Sequence, residues 1–481
     1  MAFRTTTVPR TSQSEAAHNA SYGRLLATSV QTLALSLGGA TVSVLPTALL
    51  VMGYTITRPG FYSLGANVAA TSAAPLIIAS DNVTVFGNGF VIDLTSAPAG
   101  AVGVTVNTHT NVNLYIGVIG KPGQGDRGIK LTNARDVIIA DARFVTLQSA
   151  IELDGACVDC HEFRLDSQDC EHTVRILSTG SCTNCATALC SGTWSLAGQK
   201  KWFYSNEGVC NNCFIEYNQL SDLKIYTKQG KNCSIVGNQQ TLTSNVSVNG
   251  DAAIISGGLK DPTPPSFPPP VPFPPVPDQV GCSNCDISKN QVFWPCDGGL
   301  VFVGGIVSLF SSSCRLARNE INVPEPTFTS LAVCVASSYC TQCQHDKNIC
   351  TGCFLGEFVC DVYDQNVFCK GTQVRRTIVH NCGNGICLLR CEGPSALECQ
   401  VTGCAYGIVV SEGAQNTTVQ DCAVKNCTTA GLYNGLAPPP FPDIYAAPPV
   451  NTNLINNTFN GTGLGILQPV PVILTGFNVV N

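Results

Sequence analysis

The sequence predicts an all-β solenoid, a parallel β-helix, on three observations. A strand–turn–strand phrase recurs along the chain. Charged residues are only 12% of the 481 residues, while Gly and Asn are abundant. Cysteines recur in step with the phrase. The clearest copy is Asn82-Val83-Thr84-Val85-Phe86-Gly87-Asn88-Gly89, where Val83 and Val85 alternate with polar neighbours as in a half-buried strand. Asn and Gly supply the left-handed backbone that a sharp corner needs.

The same form returns at Asn212-Cys213-Phe214-Ile215-Glu216-Tyr217-Asn218, at Asn232 to Asn238 and at Asn284 to Asn290. Weaker copies begin at Asn111, Asp136, Asp159, Asn184, Ser313, Gln342, Glu398, Asn416 and Asn453, mostly 18 to 31 residues apart. One such phrase per period of 20 to 30 residues is the mark of a stacked repeat, each copy being one coil. About 15 coils at the strand spacing of about 4.8 Å are expected. A solenoid grows by adding coils, so the length does not imply several globular domains.

The N-terminal stretch 1–53 reads as a polar tail followed by a capping hairpin. Leu33, Leu35 and Leu37 alternate, Gly38-Gly39 turns, and Val42 and Val44 alternate again. The apolar run from Leu25 to Met52 begins too late for a secretory signal. It is too interrupted by polar residues, Gly38-Gly39 and Pro46 for a membrane span. The β-helix is expected over 54–260 and again over 281–481. Between them, 261–280 is a Pro-rich loop: ten of the eighteen residues Asp261 to Asp278 are proline, which excludes a central strand. A second Pro-rich insert spans 437–449, and the apolar tail from Gly463 to Asn481 is placed as a cap. The net charge of −6 and the lack of a basic stripe argue against nucleic-acid binding.

Tyr54 to Asp93 reads Ile-Thr-x-Pro-Gly-x-Tyr-x-Leu, then Asn-Val, then Ile-Ile-x-x-x-Asn-Val-Thr-Val-x-Gly-Asn-Gly-x-x-Ile-Asp. This order resembles the opening of right-handed parallel β-helix proteins of the pectate-lyase-like superfamily, in the branch with NosD-type repeats. Loose repeats extend the resemblance to about Phe459. It implies a single-stranded right-handed parallel β-helix. That superfamily includes polysaccharide lyases, glycoside hydrolases, phage tailspikes and structural proteins of large DNA viruses, so the fold leaves function open. By that resemblance the expected setting is a virion or extracellular surface, with polysaccharide or surface proteins as partners and a homotrimer among the assemblies.

All 27 cysteines lie after residue 156. Cys160, Cys185, Cys213, Cys233, Cys285, Cys314, Cys343 and Cys399 are read in the inward slot that Val83, Val112 and Val137 fill earlier, predicting a buried column of thiols. Six Cys-x-x-Cys pairs start at 157, 182, 210, 282, 340 and 350. Packed thiols, disulfides and zinc all remain open, with Cys157, Cys160, Cys182 and Cys185 as the candidate zinc ligands. No cofactor is otherwise expected.

The only concentration of charge runs from Asp126 to Arg175. If catalytic, Asp154, Asp159, Glu162, Asp166 and Asp169 would supply carboxylates, and Arg143 or Arg164 a cation. Such a set serves a glycoside hydrolase, or a polysaccharide lyase holding calcium. The competing reading is an ion-pair ladder on stacked coils. The Asn-Thr-Asp, Asp-Asp, Gly-His-Gly and Arg-Ile-Lys phrases of polygalacturonases are missing. His345, His380 and His109 stand alone in the sequence and read as turn or surface residues.

Overall fold

A computed structural model describes residues 41–196, 201–242, 251–257, 281–294, 302–322, 331–360, 369–436, 447–461, 463–468 and 470–480. The chain forms an all-β parallel solenoid of about 14 turns with almost no helix. It divides into two compact units, Met1–Gln239 and Gln240–Asn481.

In the first unit, Val83 pairs with Val112, Val112 with Val137, and Val137 with Cys160. The adjoining registers bring Cys185, Cys213 and Cys233 onto the same line, so the thiol column continues the valine column. Valine gives way to cysteine because both are small, apolar and tolerant of full burial.

The corner before this column holds Asn82, Asn111, Asp136, Asp159, Asn184, Asn212 and Asn232, all at φ between 53° and 56°. Asn and Asp reach that region more easily than other non-glycine residues. Asparagine adds lateral bonds between coils: Asn111 Nδ2 donates to Asn82 Oδ1 (2.7 Å), and Asn232 Nδ2 to Asn212 Oδ1 (3.3 Å). A second corner places Asn218 and Asn238 inside, fully buried. Asn218 donates from Nδ2 to Thr187 O (3.1 Å) and to Asn238 Oδ1 (2.9 Å), so its amide is satisfied within the coil stack.

The second unit repeats the scheme. Asn284, Ser313 and Gln342 take the left-handed corner, and Cys285, Cys314 and Cys343 follow them, all buried. Glu398 and Cys399 depart from the expected slot. Gln400 pairs with Ile378, which puts Cys399 level with Thr377 and, one turn earlier, Asn348. Among the described residues a turn can carry more than one left-handed corner, as Gln342 (φ 54°) and Lys347 (φ 59°) show, and Glu398 (φ 57°) occupies a different one from Gln342. The corner stacked on Asn416 falls on Asn451 (φ 56°) rather than Asn453, which lies in the strand Asn453–Ile455.

At the start of the described chain, Val42–Leu45 runs parallel to Gly60–Leu64, and the short helix Thr47–Met52 buries Leu50. The first arm of the expected hairpin, with its Gly38-Gly39 turn, lies outside the described residues. So do the loop 261–280 and residues 437–446 of the second insert. From Leu464 the chain joins the ladder as a further turn: Leu464–Leu467, Ile473–Thr475 and Val479–Val480 each pair in parallel with the coil before.

Candidate functional site

Parallel stacking decides which charged residues meet. Arg143 faces Asp166 in register, Nε to Oδ2 at 3.6 Å, both largely exposed. Arg164 grips Asp141 with two bonds of 2.6 and 2.7 Å. Asp154 ends the strand Ser149–Asp154 and accepts from Thr179 Oγ1 (3.0 Å), with Lys130 Nζ at 3.4 Å. Burial pushes its carboxyl up, but the bonds from Thr179 and Lys130 outweigh that and hold it below the usual range. Asp159 is a half-buried corner residue. Asp169 is buried and accepts from Ser195 N (2.6 Å) and Ser195 Oγ (2.9 Å). Asp154, Asp159, Asp166 and Asp169 thus fall on successive faces and corners around one turn, each with its own register partners in neighbouring coils. The charges that do meet are neighbours in adjacent coils, in the manner of a ladder.

Glu162 is sealed inside. It pairs with Ile139 and Thr187, shares the face of Cys160, and is 1% exposed. Oε2 accepts from Thr187 Oγ1 (2.9 Å), and Oε1 has no partner among the described residues. Burial, reinforced by the nearby Cys185 sulfur, pushes this carboxyl well above the ordinary range. The folded chain therefore keeps a proton that the unfolded chain releases near pH ~4.3. Stability falls as pH rises above that value, towards the folded group's own titration. Glu162→Gln keeps the shape and removes the titration. Urea midpoints at pH 4 and pH 8 will show a smaller decline in the variant, and equal declines would refute the assignment.

All 26 described cysteines are free and buried. Burial pushes Cys170 and Cys190 up to about 12, so they stay protonated at neutral pH. Among the described residues no group of three or more His, Cys, Asp or Glu is placed to hold a metal ion, Cys157, Cys160, Cys182 and Cys185 included.

His345 is not a surface residue. It is fully buried in the second unit, with Nδ1 at 2.5 Å from Glu357 Oε2 and Nε2 at 2.6 Å from Ser337 Oγ. Asn348 Nδ2 donates to the other Glu357 oxygen at 3.0 Å. The set has the order of a nucleophile, base and orienting acid. With every member at 0% exposure, no substrate reaches it. His109 is likewise not alone: its Nδ1 lies 3.0 Å from Asp81 Oδ1.

Among the described residues an open concavity lies elsewhere in the first unit. A cleft of about 320 Å³ is lined by Pro122 to Gly125, Thr146 to Gln148, Asp169, Glu171, Trp194 and Leu196. It is small for a binding pocket but within the usual range. Glu171 is tethered by Lys201 Nζ at 3.5 Å, and the same ammonium lies 5.5 Å from the centre of the Trp194 ring. The indole Nε1 of Trp194 is buried without a hydrogen-bond partner among the described residues. Of the sequence candidates only Asp169 lines this cleft. Gln124, Gln148 and Trp194 were not marked by the sequence, because they come together only when four successive turns stack, with Asp169 and Glu171 on the turn between Gln148 and Trp194. The one available signal was tryptophan itself, with three copies in the chain.

No protein-family model matches the sequence, and no curated protein matches it. Among solved structures, the chain is similar to a mutant tailspike of E. coli bacteriophage HK620 in complex with a pentasaccharide. The identity is 10% and the TM-score 0.46, covering 88% of this chain and 72% of that one. It is also similar to a periplasmic alginate epimerase (11%, TM-score 0.37, 84% and 76%). A third is the catalytic unit of an α-1,3-glucanase from Streptomyces thermodiastaticus (12%, TM-score 0.40, 90% and 68%). At such identities the likeness is one of chain path alone.

Among the described residues no helix is long and apolar enough to cross a membrane.

Proposed function

We propose that this protein is a non-catalytic structural or adhesion β-helix that contacts glycans through the Trp194 cleft, as a component of a virion or extracellular surface. The observation that carries this reading is the cleft's lining. The indole of Trp194 sits beside two side-chain amides and two carboxylates. A sugar ring offers an apolar face to the aromatic and hydroxyls to the amides and acids. The carboxylates are engaged by Ser195 and Lys201, which suits binding better than proton transfer. The resemblance of the segment from Tyr54 to Asp93 to the NosD-type branch of the pectate-lyase-like superfamily supports the same setting.

The test is a screen of immobilised neutral and acidic glycans with the whole chain, followed by Trp194→Ala on any ligand found. Binding is expected to weaken by about tenfold, equivalent to ~1.4 kcal/mol. Unchanged affinity in the variant would remove the cleft from the account. The second reading is a carbohydrate-active enzyme, favoured by the presence of Asp169 and Glu171 in one cleft. Release of reducing ends or unsaturated uronides, lost in Glu171→Gln with the fold intact, would establish it instead.

A further inference from the structure

Independently of the cleft, the sulfurs of the second unit are arranged as more than packing. Thr351 pairs with His380, His380 with Thr402, and Thr402 with Lys425. Two residues beyond each lie Cys353, Cys382, Cys404 and Cys427, all at most 1% exposed. Beside the head of this column, Cys334 projects from the strand Leu331–Ser338. Its Sγ lies 2.8 Å from Cys353 Sγ, and Cys353 Sγ lies 3.4 Å from Cys382 Sγ. Cys353 therefore touches one sulfur of the turn before and another of the turn after. Stacked strands stand about 4.8 Å apart, within the Cα range that disulfides accept.

We propose that Cys334 and Cys353 are a disulfide modification site, and that Cys382 is its exchange partner, so that oxidation by a peroxide staples two successive turns of the solenoid. Cys353 sulfur attacks a peroxide oxygen; the O–O bond breaks, water leaves with the thiol proton, and Cys353 becomes a sulfenic acid. Cys334 sulfur then attacks Cys353 Sγ; the S–O bond breaks and a second water leaves with the Cys334 proton. Two thiols lose two electrons and two protons, and hydrogen peroxide becomes two waters. Cys382 can next displace Cys334 from Cys353, its proton passing to the released Cys334 sulfur, which moves the bond to the following turn without further oxidant. Burial holds the Cys334 and Cys353 thiols well above their usual range, so the reaction is slow and needs sustained exposure.

The test exposes the folded full chain to hydrogen peroxide, removes the excess with catalase, then denatures it in N-ethylmaleimide and maps the digest by mass spectrometry with fragmentation. The expected result is a loss of two alkylatable thiols and a reducible peptide pair joined at Cys334–Cys353, with Cys353–Cys382 as the second species. Cys353→Ser is expected to lose both bridges. A folded wild-type chain that keeps all its alkylatable thiols overturns the proposal. So does one bridged only at other cysteines, or one joined at Cys334–Cys353 only in urea. The wild-type map decides the matter even if the variant does not fold.

Discussion

Glu357→Ala is expected to destabilise the second unit by about 3–5 kcal/mol, the sum of a lost acceptor for two buried polar partners and the cavity left behind. The carboxylate receives His345 Nδ1 at 2.5 Å and Asn348 Nδ2 at 3.0 Å, all at zero exposure. Alanine strips both donors of their acceptor in a place without solvent, and leaves a cavity as well. The carboxylate matters here more than the attraction itself. A pair exchanged whole for apolar side chains of similar volume often loses little. The double variant His345→Leu/Glu357→Leu is therefore expected to fall well short of the single Glu357→Ala in its loss. Urea unfolding at unchanged slope measures both. A loss under about 1 kcal/mol for Glu357→Ala would mean that water reaches the set.

The repeat was legible because its corner demands a backbone that few residues tolerate. Asn82, Asn212 and Asn284 announce that corner, and the apolar or thiol side chain that follows each is inward for geometric reasons. Legibility failed where a second corner of a turn makes the same demand. Glu398 and Cys399 look like Asn232 and Cys233 in sequence, yet register puts them beside Thr377 and Asn348. Glu162 looked like part of a charged face. Alternation shows only that Cys160 and Glu162 share a side, and in this strand that side is the interior. His345 looked solitary because its partners, Ser337 and Glu357, stand eight residues before and twelve after it, on paired strands of two successive turns. The cleft was invisible for the same reason. Gln124, Gln148, Asp169 and Trp194 sit in four successive turns, and the period of the repeat, not any local pattern, brings them together.

The buried asparagine ladder gives the other large effect. Asn290, Asn319 and Asn348 occupy equivalent positions in three successive turns, each at 0% exposure. Asn319 Oδ1 accepts from both Asn290 N and Asn290 Nδ2 at 3.1 Å. Asn319 Nδ2 donates to Ile287 O (3.0 Å) and Asn348 Oδ1 (3.1 Å). One side chain thus satisfies the turn before it and is satisfied by the turn after. Asn319→Ala leaves two donors of Asn290 and one carbonyl of Ile287 short of partners at once, and about 2–4 kcal/mol of stability is expected to be lost. Asn319→Asp is the sharper variant. It retains an acceptor for Asn290 but has no amide to give Ile287 O, and it sets a carboxylate against Asn348 Oδ1. Its loss should therefore exceed that of alanine at pH 8 and shrink at pH 4, as protonation restores a donor. Asn218 in the first unit, bonded in the same way to Thr187 O and Asn238 Oδ1, should behave alike. If Asn319→Ala and Asn319→Asp unfold at the same urea concentration at both pH values, the ladder is only packing, and its amides contribute nothing beyond their volume.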